Sequence, residues 1–94
     1  MAETYTIIWN GNVIGSISDL RADMSFSEGI YTPAISAEAK TFTELITSFD
    51  IQVTFKDPNK GTNITLVSKN DSTISMNFIV LALLDNLLSL RKIK

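Results

Sequence analysis

The chain has 94 residues, contains neither cysteine nor histidine, and carries a formal net charge of −2. This length fits one domain, expected to span residues 1–94, because single domains commonly hold roughly 50–200 residues. The missing cysteine excludes disulfides, thiolate nucleophiles and zinc–thiolate sites, and the missing histidine removes the commonest general base and metal ligand. We therefore expect no cofactor and no metal, and a protein that binds rather than catalyses.

The chain opens with a predicted β-hairpin. Residues 4–9 and 13–18 are rich in β-branched and aromatic side chains and flank Asn10-Gly11. This dipeptide is typical of a two-residue hairpin turn, because both turn positions need positive φ. Gly15, inside the second run, indicates a bulge or a close approach of two backbones.

The next segment predicts further strands. Residues 20–27 alternate between apolar and polar side chains, which is typical of a strand with one wet face. Glu28-Gly29 then predicts a turn. Residues 30–32 form a short candidate strand that Pro33 would end, because proline cannot donate a hydrogen bond to a neighbouring strand.

A helix is expected over about residues 37–49. Its apolar side chains recur at the spacing of one helical face, namely Phe42, Leu45, Ile46 and Phe49. Two residues compete for the N-cap. Thr41 would form a capping box with Glu44, whereas Ser36 would begin the helix earlier.

After this helix the alternation of apolar and polar residues returns. The pattern predicts a three-stranded antiparallel meander, because the hairpin loops are short enough to force antiparallel pairing. The predicted strands cover residues 51–56, 62–68 and 73–78. The segment 57–61 between the first two strands contains Pro and Gly in the order that favours a tight turn.

Residues 79–92 predict a second helix, because they are rich in leucine and the run is long for a strand. Apolar side chains would cover about 200° of this helix, where a surface helix typically shows about 100°. Either the sheet and the first helix cover all of it, or another molecule covers part. In the second case Leu83, Leu87 and Leu90 are the expected partner-binding residues.

Acidic residues cluster in the first half of the chain. The net charge is −5 over residues 1–50 and +3 over residues 51–94. Asp19, Asp23 and Glu28 form the densest group. On one extended strand Asp19 and Asp23 would stand about 13 Å apart, farther than the roughly 5–10 Å of paired glycosidase carboxylates. We expect these three residues to form an acidic partner-binding surface rather than an acid–base pair.

Nucleic acid and membranes are not expected partners. The basic residues form no dense cluster, and the longest apolar run, residues 78–84, is far shorter than the ~20 residues of a membrane-spanning helix. The first residues show no basic and apolar regions of a signal peptide, so a cytoplasmic location is expected.

The predicted fold is α+β, an antiparallel sheet of five to seven strands in two hairpin-rich meanders, with both helices on one face. The predicted function is a non-catalytic protein-binding module of the inhibitor, immunity or adaptor type. Its partner would be another protein or a second copy of the chain. One alternative is a structural homo-oligomer, such as a homodimer with a leucine-rich helix seam. Another is a ligand-binding protein or carboxylate-based enzyme that uses Asp19, Asp23 or Tyr31.

Overall fold

A computed structural model describes residues 4–23 and 26–93. In these ranges six β-strands, two α-helices and one short 3-10 turn follow one another along the chain. The first three strands are β1 (Thr4–Trp9), β2 (Asn12–Asp23) and β3 (Phe26–Pro33). Helices α1 (Ala37–Thr47) and α2 (Ile51–Lys56) and the 3-10 turn (Pro58–Lys60) come next, and the last strands are β4 (Thr62–Ser68), β5 (Ser75–Leu84) and β6 (Leu87–Lys92).

The strands form one antiparallel sheet that closes into a barrel in the order β1-β2-β3-β6-β5-β4. Each half of the chain contributes a three-stranded meander. The β1–β4 and β3–β6 pairs join the two meanders. The prediction of an α+β fold with an antiparallel sheet is confirmed. The prediction of two helices on one face of the sheet is not, since the second helix is not where it was expected.

The core fills the barrel and continues under α1. Strand residues of the core include Ile7, Ile14, Ile17, Leu66, Phe78 and Leu88. Helix α1 adds Ala39, Phe42 and Ile46, which recur at helical spacing. The helix begins after Ser36, whose hydroxyl oxygen accepts a hydrogen bond from the Ala39 amide at 3.1 Å. The predicted helix is thus confirmed with Ser36 rather than Thr41 as its N-cap, but it ends at Thr47 instead of residue 49, and Leu45 of its predicted apolar face is exposed.

The first hairpin is also confirmed. Asn10 and Gly11 both adopt positive φ, at 50° and 79°. Gly15 has a φ of 154°, and a Cβ on it would lie 2.4 Å from the Thr32 carbonyl oxygen. The pairing of β1 with β2 shifts register between Ile7 and Ile8. Both effects predicted for this glycine, a bulge and a close backbone approach, are therefore present.

The segment predicted as one strand, residues 20–27, belongs to two strands, and the predicted turn at Glu28-Gly29 is wrong. Strand β2 ends at Asp23, β3 begins at Phe26, and Gly29 lies inside β3. Apolar and polar residues alternate without interruption from β2 into β3, so the sequence pattern does not indicate a break between the two strands. Gly29 is required by packing rather than by a turn, because a Cβ there would lie 2.7 Å from Ile17 Cγ1.

The predicted strand at residues 51–56 is wrong as well, since these residues form α2. Asp50 caps the helix, and its carboxylate accepts a hydrogen bond from the Gln52 amide at 2.9 Å. Thr54 is buried and donates its hydroxyl proton to the Leu81 carbonyl oxygen at 2.7 Å. This contact fixes α2 against β5.

The predicted helix at residues 79–92 is wrong, because this segment forms the β5–β6 hairpin with Asp85 in its turn at a φ of 55°. The surplus of leucine has a structural cause. Phe78 and Val80 belong to the barrel core, whereas the buried Leu81 lies where α2 packs against β5. A strand that is buried on both faces carries a continuous apolar run, which period alone does not distinguish from a buried helix.

Candidate partner-binding surface

Three exposed aliphatic side chains form a row across the outside of the barrel. Ile30 on β3 pairs with Leu87 on β6, and Leu87 pairs with Leu84 on β5. Directly paired residues of antiparallel strands point to the same face with Cβ atoms about 5 Å apart. The exposed fractions of Ile30, Leu84 and Leu87 are 39%, 53% and 44%. We call these three residues the apolar row.

Carboxylates flank the apolar row. A groove of about 220 Å³ beside it is lined by Asp19, Arg21, Glu28, Gly29, Ile30 and Leu87. Asp85 follows Leu84 in the β5–β6 turn and is exposed. The structure thus brings together Asp19, Glu28 and Leu87, which were expected to bind a partner for separate reasons, charge for the two carboxylates and apolar surface for the leucine. Among the described residues that line this groove, Arg21 is the one basic side chain.

A second bulge in β2 places Asp19 beside the row. The pairing of β2 with β3 shifts register between Ser18 and Arg21, and Asp19 has a φ of 53°. A bulge adds one residue to a strand and redirects the side chains around it. Beyond the bulge Arg21 is the direct partner of Glu28, so opposite charges lie side by side. The side chain of Asp23 lies outside the described part of the structure.

The two remaining predicted leucines do not belong to this surface. Leu90 is fully buried in the barrel core, and Leu83 is partly buried and packs against that core. Their placement on the exposed face of a helix is wrong, because in the β5–β6 hairpin alternate side chains point into the barrel. Sequence reasoning missed Ile30 and Leu84, because only the strand register shows that they adjoin Leu87.

A larger cavity continues from the groove and shares Arg21 and Glu28 with it. Its volume is about 420 Å³, and its lining consists of Arg21, Ala22, Phe26, Ser27, Glu28, Phe55 and Ser89. The Phe26 and Phe55 ring centroids are 5.7 Å apart, with their planes at 51°. The Arg91 guanidinium carbon lies 5.5 Å from the Phe26 ring centroid. We call this space the aromatic cavity.

Tyr31, the other residue proposed for an enzyme or ligand site, lies elsewhere. Its side chain is buried in the core, and its hydroxyl forms a 2.9 Å hydrogen bond with the Thr43 hydroxyl of α1. Burial raises the pKa of the Tyr31 phenol above its ordinary value, and the Thr43 hydrogen bond offsets part of this rise. Tyr31 and Asp19 are therefore not brought together at one site.

Comparison with family models, with curated proteins and with solved structures finds no significant match. Within residues 4–23 and 26–93, no group of three or more His, Cys, Asp or Glu side chains is arranged to hold a metal ion. No helix in the same ranges has the length and apolar character needed to cross a membrane.

Proposed function

We propose that the protein is a non-catalytic cytoplasmic binding module that docks another protein on the apolar row. The partner would present aliphatic side chains flanked by lysine or arginine. One observation supports this proposal above the others: three exposed aliphatic side chains in register stand beside Asp19, Glu28 and Asp85. Exposed apolar surface rimmed by charged residues is typical of protein-interaction sites.

The barrel favours docking through side chains rather than through an added strand. Each of the six described strands is hydrogen-bonded to two neighbours, so the sheet offers no free edge among the residues described. A peptide cannot extend such a sheet by β-augmentation. An amphipathic helix can lay its apolar side chains across the outer face of the strands instead. We therefore propose an amphipathic helix with a basic rim as the partner element.

The apolar row alone supports only weak binding. Each of its side chains is about half exposed, so covering all three contributes on the order of 3 kcal/mol. A dissociation constant of 1 μM corresponds to about 8 kcal/mol. Charge pairs at the rim would add association rate and specificity more than affinity. A partner that binds at micromolar concentration needs a further contact.

A second copy of the chain is the less favourable occupant. Two copies that packed row against row would bring Asp19, Glu28 and Asp85 of one copy toward the same residues of the other. Of the side chains described along the groove, only Arg21 is cationic. Like charges across an interface cost several kcal/mol, whereas a basic helix would relieve this repulsion. The alternative of a homodimer was based on a leucine-rich helix, and residues 79–92 form a hairpin instead.

The proposal is tested with two designed helical peptides that carry leucine on one face and either lysine or glutamate on the other. In a titration followed by amide NMR, the lysine peptide should shift the resonances of Ile30, Leu84 and Leu87. The glutamate peptide should not shift them. Raising the salt concentration from about 50 to 300 mM should weaken binding, because exposed charge pairs are screened over roughly a Debye length.

The variant for this test is Leu84→Ser with Leu87→Ser, and its matched control is Val13→Ser. Leu84, Leu87 and Val13 are all exposed, so the changes should leave the fold intact. The double variant should no longer bind the lysine peptide, and the control variant should bind it as wild type does. Equal binding by wild type and double variant would overturn the proposal. A dimer in solution that the double variant abolishes would replace the proposal with self-association.

A further inference from the structure

We infer that the aromatic cavity receives a tryptophan or tyrosine side chain of the same basic helix that docks on the apolar row. This inference rests on the proposed function and supplies the additional contact that the row requires. The cavity and the groove beside the row share Arg21 and Glu28. One ligand element can therefore contact both.

The walls of the cavity suit an aromatic ring. Phe26 and Phe55 remain 36% and 38% exposed although their ring centroids lie only 5.7 Å apart. Tilted and edge-to-face ring pairs are favourable beyond the area that they bury. A third ring would cover the exposed parts of both phenylalanines. The volume of about 420 Å³ lies within the range of about 300–1,000 Å³ that small-ligand pockets occupy, so one aromatic side chain fits.

The charges around the cavity exclude a cationic anchor. Arg21 lines the cavity, and the Arg91 guanidinium covers Phe26. Against these two cations, Glu28 is the one carboxylate among the described lining side chains. A lysine or arginine would meet net repulsion there, although it suits the acidic rim of the row. A neutral ring with an N–H or O–H donor avoids this repulsion and can donate to the Glu28 carboxylate.

The distance from row to cavity sets the spacing of the helix contacts. Phe26 and Ile30 are four residues apart on β3, which corresponds to about 13 Å along the strand. An α-helix advances about 10.5 Å in seven residues and returns to nearly the same face. The aromatic anchor should therefore stand seven residues from the leucine that covers the apolar row. Either helix polarity satisfies this spacing.

The test uses lysine-rich helical peptides with a leucine contact and one tryptophan, placed seven residues before the leucine in one peptide and seven residues after it in the other. Each peptide has a Trp→Ala counterpart, and binding is measured by calorimetry. In one polarity the tryptophan peptide should bind wild type at least about tenfold more tightly than its alanine counterpart, as anchors at interfaces typically do.

Two protein variants locate the source of this gain. Phe55→Ala removes one wall, and Ser89→Phe fills the cavity from β6, so each should abolish the tryptophan gain. Val53→Ala is the control, because Val53 is exposed on the same helix but does not line the cavity. No gain in either polarity, or a gain that survives Ser89→Phe, would overturn the inference. A third outcome is that the Leu84→Ser, Leu87→Ser variant loses peptide binding while the tryptophan and alanine peptides bind wild type equally. That outcome would support the proposed function and contradict the inference about the cavity.

Discussion

Replacement of Thr54 by valine tests how α2 is fixed to the barrel. The Thr54 side chain is buried, and its hydroxyl lies 2.7 Å from the Leu81 carbonyl oxygen. Leu81 sits at a register shift between Val80 and Ala82 and has no paired residue on β6. Strand β4 pairs with β5 only as far as Val80. The Thr54 hydroxyl therefore donates to this carbonyl at the point where the strand pairing is irregular.

The expected loss of unfolding free energy follows from the hydrogen bond that valine cannot form. Valine keeps the shape of threonine but cannot donate, so the carbonyl of the fully buried Leu81 loses this hydrogen bond. A buried polar group that loses its partner typically costs about 1–3 kcal/mol. With a urea m-value of roughly 1–3 kcal/mol/M for a small domain, the unfolding midpoint should fall by about 1 M.

The assay is urea unfolding followed by tryptophan fluorescence, since Trp9 packs 5.4 Å from the Phe42 ring in the core. Thr47→Val is the control. Thr47 is exposed, and its hydroxyl bonds only to carbonyls of its own helix, at 2.9 Å and 3.0 Å. Loss of the Thr47 hydroxyl should lower the free energy of unfolding by less than about 0.5 kcal/mol. A Thr54→Val midpoint indistinguishable from that of wild type would refute the account of how α2 is held.

Two further predictions concern the core. Gly29→Ala should destabilise the protein by about 1–3 kcal/mol, because the new Cβ would lie 2.7 Å from Ile17 Cγ1 and 2.8 Å from the Ser18 carbonyl oxygen; an unchanged unfolding midpoint would contradict this close approach. Burial raises the pKa of Tyr31, so the unfolded chain ionises first, at a pH of about 10. The stability due to the buried neutral phenol is then complete below that pH and lost as pH rises through the folded-state pKa. Tyr31→Phe should therefore reduce the alkaline loss of stability measured between about pH 9 and 12, and an identical loss in both proteins would contradict it.

Local patterns that tertiary packing reinforces were predictable from sequence. Helix α1 shows apolar side chains at helical spacing over three turns, and Ser36 offers a hydroxyl at its start. Asn10-Gly11 has the two residue types that tolerate the positive φ of the turn. In both places the local preference agrees with the final structure.

The second helix and the last hairpin were not predictable in the same way. Helix α2 has six residues, too few to display a helical period, and its Ile51, Val53 and Phe55 alternate like those of a strand. Its Thr54 hydroxyl contacts the Leu81 carbonyl oxygen, 27 residues away in the chain, and the local sequence does not reveal this contact. The β5–β6 run conceals its turn at Asp85, because aliphatic residues flank that turn closely on both sides.

The candidate surface was found only in part. The acidic cluster was visible, since Asp19 and Glu28 are close in sequence. The apolar row was not, because Ile30 and Leu87 are brought together by the β3–β6 pairing. Leu87 was predicted to bind a partner because of its position on an expected helix. Its actual position in the apolar row results from the register of the β5–β6 hairpin.

Closure of the barrel has a consequence for synthesis on the ribosome. Strand β3 ends at Pro33, and its partner β6 begins at Leu87. Translation proceeds at about 5–20 residues per second, so β6 is synthesised several seconds after β3. During that interval the outer edge of β3 is unpaired, and unpaired edges recruit strands from other chains. Nascent copies on one messenger are therefore exposed to domain-swapped pairing, a hazard that the finished barrel no longer carries.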